Sequence, residues 1–180
     1  MLDALSFGDT QENNSNSLLQ RICDCMTNLI SKRQKYLNYK EQHERLKKAM
    51  KNGFYLEAIF IEYSILEDRT ESILRYTDNF EKLKSKNPNF ISVETKLKKI
   101  KTLTENKRSI EKIYFKPEFI DSLFNWENLR NGIIHALMKR TVLKEEIENV
   151  AISGLQIVKD LSRISTNYKH KLEKLGLLNA

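Results

Sequence analysis

Arg130, Asn131 and His135 bring a cation, an amide and an imidazole close together in the stretch Glu127 to Lys139, which reads ENLRNGIIHALMK. As a residue type, an imidazole exchanges protons near neutrality. A guanidinium does not give up its proton, so one that faces a core needs a partner or a ligand. The surrounding pattern makes that requirement acute. Glu118 to Lys139 is an apolar helical stretch that follows Pro117, a helix-start signal. At about 100° per residue from Ile120, Leu123 falls at about 300°, Ile134 at about 320° and Leu137 at about 260°. Arg130 falls at about 280°, inside that stripe. Asn131 and His135 fall at about 20° and about 60°, on its edge.

A second stretch pairs charge with an apolar face. FYLEAIFIEYSILEDRTESILRY, from Phe54 to Tyr76, carries Ile59, Leu66 and Ile73 at successive sevens. Glu62 and Arg69, also seven apart, lie within the same face. Lone buried charges are costly, so each needs an explanation. Either Glu62 and Arg69 form an ion pair within the helix, or Glu62 reaches across to Arg130 or His135.

Elements must position these groups, and composition says which kind. The chain has 180 residues, enough for a single core, with only five Gly and two Pro. Its Leu, Ile, Lys and Glu content favours an all-α protein, a single helical bundle. No run of eighteen apolar residues marks a membrane span, and the N-terminus lacks a basic start and apolar core. A cytoplasmic protein without membrane contact is the expectation. Cys23 and Cys25 point roughly 200° apart on a helix and have no accompanying His/Cys cluster, so no metal site and no cofactor is expected. Phosphate-loop and dinucleotide fingerprints are absent, and His43 and His170 read as surface residues.

Taken in order, residues 1–16 are polar and Asn-rich, a flexible segment, and residues 17–180 form one domain. A helix starts at Ser17 and reaches Met50, with a break near Tyr39 to Glu41, and Lys51-Asn52-Gly53 ends it. Thr77 to Asn89 is polar and closes on an Asn87-Pro88-Asn89 turn. Ser92 caps a short basic helix from Val93 to about Leu103. Ser109 to Phe115 is a short apolar patch, and a long closing helix runs from Leu143 towards Leu175. Between Lys82 and Arg108, nine Lys/Arg face only Glu94 and Glu105, a surplus equal to the whole chain's +7. That segment, with Lys96, Lys98, Lys99 and Lys101, reads either as a polyanion-facing surface or as a solvated helix face.

Arg130-Asn131-x-x-x-His135 resembles the Arg-polar-x-x-x-His motif of the HEPN superfamily, small helical domains of toxins, defence systems and RNA-processing enzymes. FIEYSILEDRTESILRY resembles the acidic second helix of such domains, and the likeness spans roughly Phe54 to Leu161. It implies a HEPN-like bundle of about five to six helices with a long C-terminal helix. It further implies a metal-independent endoribonuclease acting as a homodimer, in which two copies of the motif form one cleft. His135 would then remove the proton of the RNA 2′-hydroxyl, Arg130 would bind the scissile phosphate, and Asn131 would orient either, with Glu62 beside them. The lysines at 96, 98, 99 and 101 would hold RNA. Some members carry a modifiable tyrosine two positions after the histidine; here that position is Leu137, so this mode of control is not expected. The implied setting is a toxin–antitoxin pair or antiviral defence, with an antitoxin or nucleotidyltransferase as partner. Two other readings remain: a non-catalytic module that binds nucleotide or RNA, and a helical scaffold in which Arg130 and His135 are structural.

Overall fold

The computed structural model describes residues 32–86, 90–106 and 108–178. Segment 1–16, the start of the helix expected from Ser17, Cys23 and Cys25, and the Asn87-Pro88-Asn89 turn lie outside the described residues. The chain divides into two compact units, residues 1–41 and 42–180. The first unit enters the description only as the beginning of α1 (Lys32–Asn52), which has no break near Tyr39 to Glu41.

In the second unit, α1 ends where the sequence says it should. Gly53 adopts φ 72°, and Phe54 N–H donates to the Ala49 carbonyl (2.9 Å), the six-to-one bond of a Schellman stop. α2 (Tyr55–Arg75) follows immediately. α3 (Asn79–Lys86) occupies part of the polar stretch from Thr77 to Asn89, held by the burial of Phe80 beneath the Arg75 guanidinium (4.1 Å). Ser92 caps α4 (Val93–Glu105), its hydroxyl accepting from Thr95 N–H at 3.2 Å. α5 (Glu111–Tyr114) is a single turn, α6 (Pro117–Ala136) begins on its proline, and α7 (Lys144–Lys174) closes the chain. These are seven helices among the described residues, against the five to six expected, in an all-α bundle with a long C-terminal helix. None of the described helices is long and apolar enough to cross a membrane.

Four helices close a ring. α2 packs on α7, α7 on α6, α6 on α4, and α4 back on α2. Ile59, Leu66 and Ile73, the sevens-apart face of α2, are buried in its centre with Leu97 and Ile100 of α4, Ile120, Leu123 and Trp126 of α6, and Val158 and Leu161 of α7. α5 and Phe115 are tied to α7 by aromatic packing. Tyr168 meets Tyr114 (5.8 Å) and Phe115 (5.3 Å), and its hydroxyl donates to the Glu111 carboxylate (2.7 Å).

The tightest point of the ring is built on Gly154 of α7. A methyl group there would collide with the Glu62 carboxylate of α2 and approach the Trp126 indole nitrogen of α6 to 2.6 Å. Trp126 Nε1–H donates to the Val150 carbonyl (3.0 Å), which sets the height of α6 against α7. Glu62 is fully buried, and neither of its oxygens has a hydrogen-bond partner among the described residues. Burial pushes its carboxyl up to about 9, so it is neutral at pH 7.

The unfolded chain ionises Glu62 above its ordinary 4.5, whereas the folded chain keeps the proton until about 9. Between those values the folded state binds more protons, so stability falls as pH rises, by up to about 1.4 kcal/mol per pH unit. Denaturant melts at pH 5 and pH 8 should therefore show a pH-dependent loss that Glu62→Gln removes; equal pH dependence in both proteins would mean the carboxyl is already ionised. Gly154→Ala should cost about 1–3 kcal/mol despite alanine's better helix propensity, because the junction has no room. Thermal melts read that sign directly.

Candidate functional site

α6 carries Arg130, Asn131 and His135 on its last two turns. Its buried residues are Ile120, Leu123, Trp126, Glu127 and Ile133, so Arg130 does sit among core-facing positions. The helix stops at Ala136, however. Leu137 is the first residue beyond it and is 38% exposed, so it does not extend the apolar stripe.

Arg130 is half-buried and lies flat against α2. Its guanidinium is 4.1 Å from the centre of the Tyr63 ring and 5.7 Å from that of Phe60. Its Nη1 donates to Asn131 Oδ1 at 2.9 Å. Buried Nε has no hydrogen-bond partner among the described residues. The cation is thus held by ring faces and one amide, leaving donor capacity unused. Asn131 is half-buried, and its Oδ1 is engaged by the arginine. His135 is exposed. Five residues on, it points roughly 140° away from Arg130 around the helix axis.

Glu62 does not reach either of them. Its oxygens lie against Gly154 and Trp126, and burial alone accounts for its displaced protonation. Nor does it bond to Arg69. Neither the ion pair with Arg69 nor a contact with Arg130 or His135 is made by Glu62, and burial without a partner favours its neutral form. The α2 stretch does meet Arg130, but through Tyr63, the next residue, and Phe60.

Glu127, one helical turn before Arg130, supplies the nearby negative charge. It is almost fully buried at the start of α4. Burial pushes its carboxyl up, the Glu94 charge adds to this, and the Glu94 backbone N–H, Arg130 and Lys98 draw it back. Burial with the Glu67 and Glu127 charges likewise raises the Tyr63 phenol, which Arg130 partly offsets, so Tyr63 stays neutral. Tyr63, Phe60 and Glu127 are the site residues that sequence reasoning missed. The i, i+3 spacing of Glu127 and Arg130 was the available signal for one of them.

Three of the four lysines expected to hold RNA are paired within the protein. Lys96 is buried, its ammonium between Glu71 (3.1 Å) and Glu67 (3.5 Å) of α2, so it cannot face RNA; it ties α4 to α2. Lys98 pairs with Glu94 (2.6 Å) and Lys101 with Asp121 (2.8 Å), both at the surface. Lys99 is half-buried and makes no ion pair among the described residues. Of the other histidines, His170 is a surface residue bonded to Glu173 (3.0 Å). His43 is half-buried, and burial, then the Arg69 charge, lowers its pKa.

Because Glu62 and Arg130 do not touch, Glu62→Gln and Arg130→Ala should add in denaturant melts to within about 0.5 kcal/mol. Tyr63→Leu and Arg130→Ala should instead couple, by about 0.5–2 kcal/mol. Lys96→Ala should destabilise by about 1–3 kcal/mol, since it strands two carboxylates that keep partial contact with water. A wild-type melt with weakened RNA binding would return Lys96 to the surface. Compared with family models, curated proteins and solved structures, the chain finds no match.

Proposed function

We propose that the protein is a metal-independent endoribonuclease of HEPN type. One observation carries the reading. Arg130 is stacked on Tyr63 and bonded to Asn131, yet bonds no carboxylate among the described residues and keeps a buried Nε–H without an acceptor there. A planar cation with free donors suits a phosphate oxygen, and the phosphate of a reacting phosphodiester gains charge in its transition state. His135, exposed on the same helix, is the general base of the proposal. It takes the 2′-hydroxyl proton, the 2′-oxygen bonds to phosphorus, and the bond to the 5′-oxygen breaks. The products are a 2′,3′-cyclic phosphate and a free 5′-hydroxyl, once a second acid protonates the leaving oxygen.

One chain offers Arg130 and His135 in directions about 140° apart, which argues for two chains at one cleft. The surface around them is suitably apolar: Phe60, Leu129 and Met138 are exposed, Met138 almost completely. A homodimer through this face would let the arginine of one copy meet the histidine of the other. The same divergence of the two side chains favours a second reading, a non-catalytic RNA-binding module, if the chain stays monomeric. An antitoxin or nucleotidyltransferase partner, and a role in toxin–antitoxin or antiviral systems, belong to the first reading.

The test is cleavage of single-stranded RNA in excess chelator. Wild type should yield 2′,3′-cyclic phosphate ends, and His135→Ala and Arg130→Ala should each lower the rate by at least about 100-fold. His135→Ala should melt like wild type, because an exposed imidazole contributes little packing. Full activity in His135→Ala sinks the mechanism, and retained RNA binding without cleavage in wild type selects the second reading. Sedimentation should show a dimer at micromolar concentration; an active strict monomer would remove the shared cleft.

A further inference from the structure

A groove of about 440 Å³ opens between the α1–α2 turn and the start of α7. Gly53, Phe54, Tyr55, Val142, Lys144 and Ile147 line it. Phe54 is 59% exposed although it sits in a rigid place. It follows the positive-φ glycine, and its N–H is bonded back to Ala49. An aromatic ring presented to water by a fixed turn is a platform rather than a core residue that missed its place.

The charges of the groove are unequal. Glu57 is held by Arg45 (3.2 Å), Glu148 accepts the Tyr55 hydroxyl (2.6 Å), and Glu146 is paired with Arg140 (2.6 Å). Glu145, the next acid, does not line it. Lys144 is exposed and makes no ion pair among the described residues. Its ammonium lies 5.7 Å from the Tyr55 ring centre and beside Gly53, whose missing side chain leaves it open. Lys51 and Lys139, exposed and likewise outside any ion pair among the described residues, stand on the two segments that lead into the groove. Aromatic and aliphatic walls with an unmatched ammonium at the rim complement a flat base that carries a phosphate.

The groove is also close in chain to the Arg130 helix. α6 ends at Ala136, and the connection enters the groove at Val142. From His135 to Val142 the backbone can span at most about 25 Å, a length that a few nucleotides of extended strand can follow.

We propose that this groove is a subsite for single-stranded RNA, with a base stacked against Phe54 and its phosphate at Lys144, on a strand that continues to Arg130 and His135. The choice of RNA rests on the ribonuclease reading; the stacking and charge arguments do not. Single strands are favoured because duplex RNA hides its base faces, whereas aromatic platforms take unstacked bases. Three of the four lysines expected to hold RNA on α4 are paired, whereas Lys144 here is not.

The experiment measures binding by anisotropy in the full chain carrying His135→Ala, with a labelled single strand of about 12 nucleotides, its duplex, and free adenosine monophosphate. Phe54→Ala, Phe54→Leu and Lys144→Glu should each weaken single-strand binding about tenfold, and duplex binding much less. Lys144→Ala should lower the salt slope by about one. Phe54→Leu keeps apolar bulk, so its loss reports the ring and not the fold. Unchanged single-strand affinity, equal losses for duplex, binding of the mononucleotide as tight as the strand, or no RNA binding at all overturns the subsite. Cleavage separates the two readings. Wild type that binds through Phe54 without cutting keeps the subsite and ends the ribonuclease reading. Cleavage with an unchanged KM in Phe54→Leu does the reverse.

Discussion

Three helices meet at Gly154, and the rest of the ring is registered from that contact. The glycine in α7 lets the Glu62 carboxyl of α2 and the Trp126 indole of α6 approach its backbone together. Trp126 adds a directed bond to the Val150 carbonyl, so α6 is held in height as well as distance. The cost is a carboxyl group stripped of water and given no partner among the described residues, which the protein tolerates by keeping it protonated. A carboxyl of that kind is a packing element that makes stability pH-dependent.

Arg130 follows from that registration. It stands four residues, just over one turn, after Trp126. With α6 fixed on α7, the guanidinium comes to rest on Tyr63, adjacent in α2 to the buried Glu62. The same face of α6 sends Glu127 to the start of α4. The candidate site is therefore supported from three sides: a ring beneath the cation, an amide beside it, and a buried acid one turn earlier. A guanidinium supported in this way loses little conformational freedom when it takes up an anion.

Charge is distributed by the same logic. Lys96, Lys98 and Lys101 are matched to carboxylates, two of them across helices, and serve the bundle. Lys99 of the same helix makes no such match among the described residues, and neither do Lys51, Lys139 and Lys144 on the turns. Which lysines of a helix are matched thus depends on which helices lie side by side.

What the sequence determined by itself is local. The Gly53 stop, the Ser92 cap, the Pro117 start and the buried sevens of Ile59, Leu66 and Ile73 each rest on chemistry within a turn or two of chain, and each is legible there. So is the proximity of Arg130 to Asn131. A short helix such as α3 escapes this reading, because Phe80 is its single buried anchor and the sequence around it is polar. The identity of each buried charge's neighbour was not legible. Glu62 and Tyr63 are adjacent in sequence but point about 100° apart, and only the packing of α6 and α7 decides that one meets Gly154 and the other Arg130. Lys96 and Lys98 differ by two positions, and only the placement of α4 against α2 buries the first and leaves the second in water. Periodicity names the face on which a residue lies. Tertiary structure supplies what stands opposite, and with it whether a charged side chain is neutralised, protonated or left free to bind.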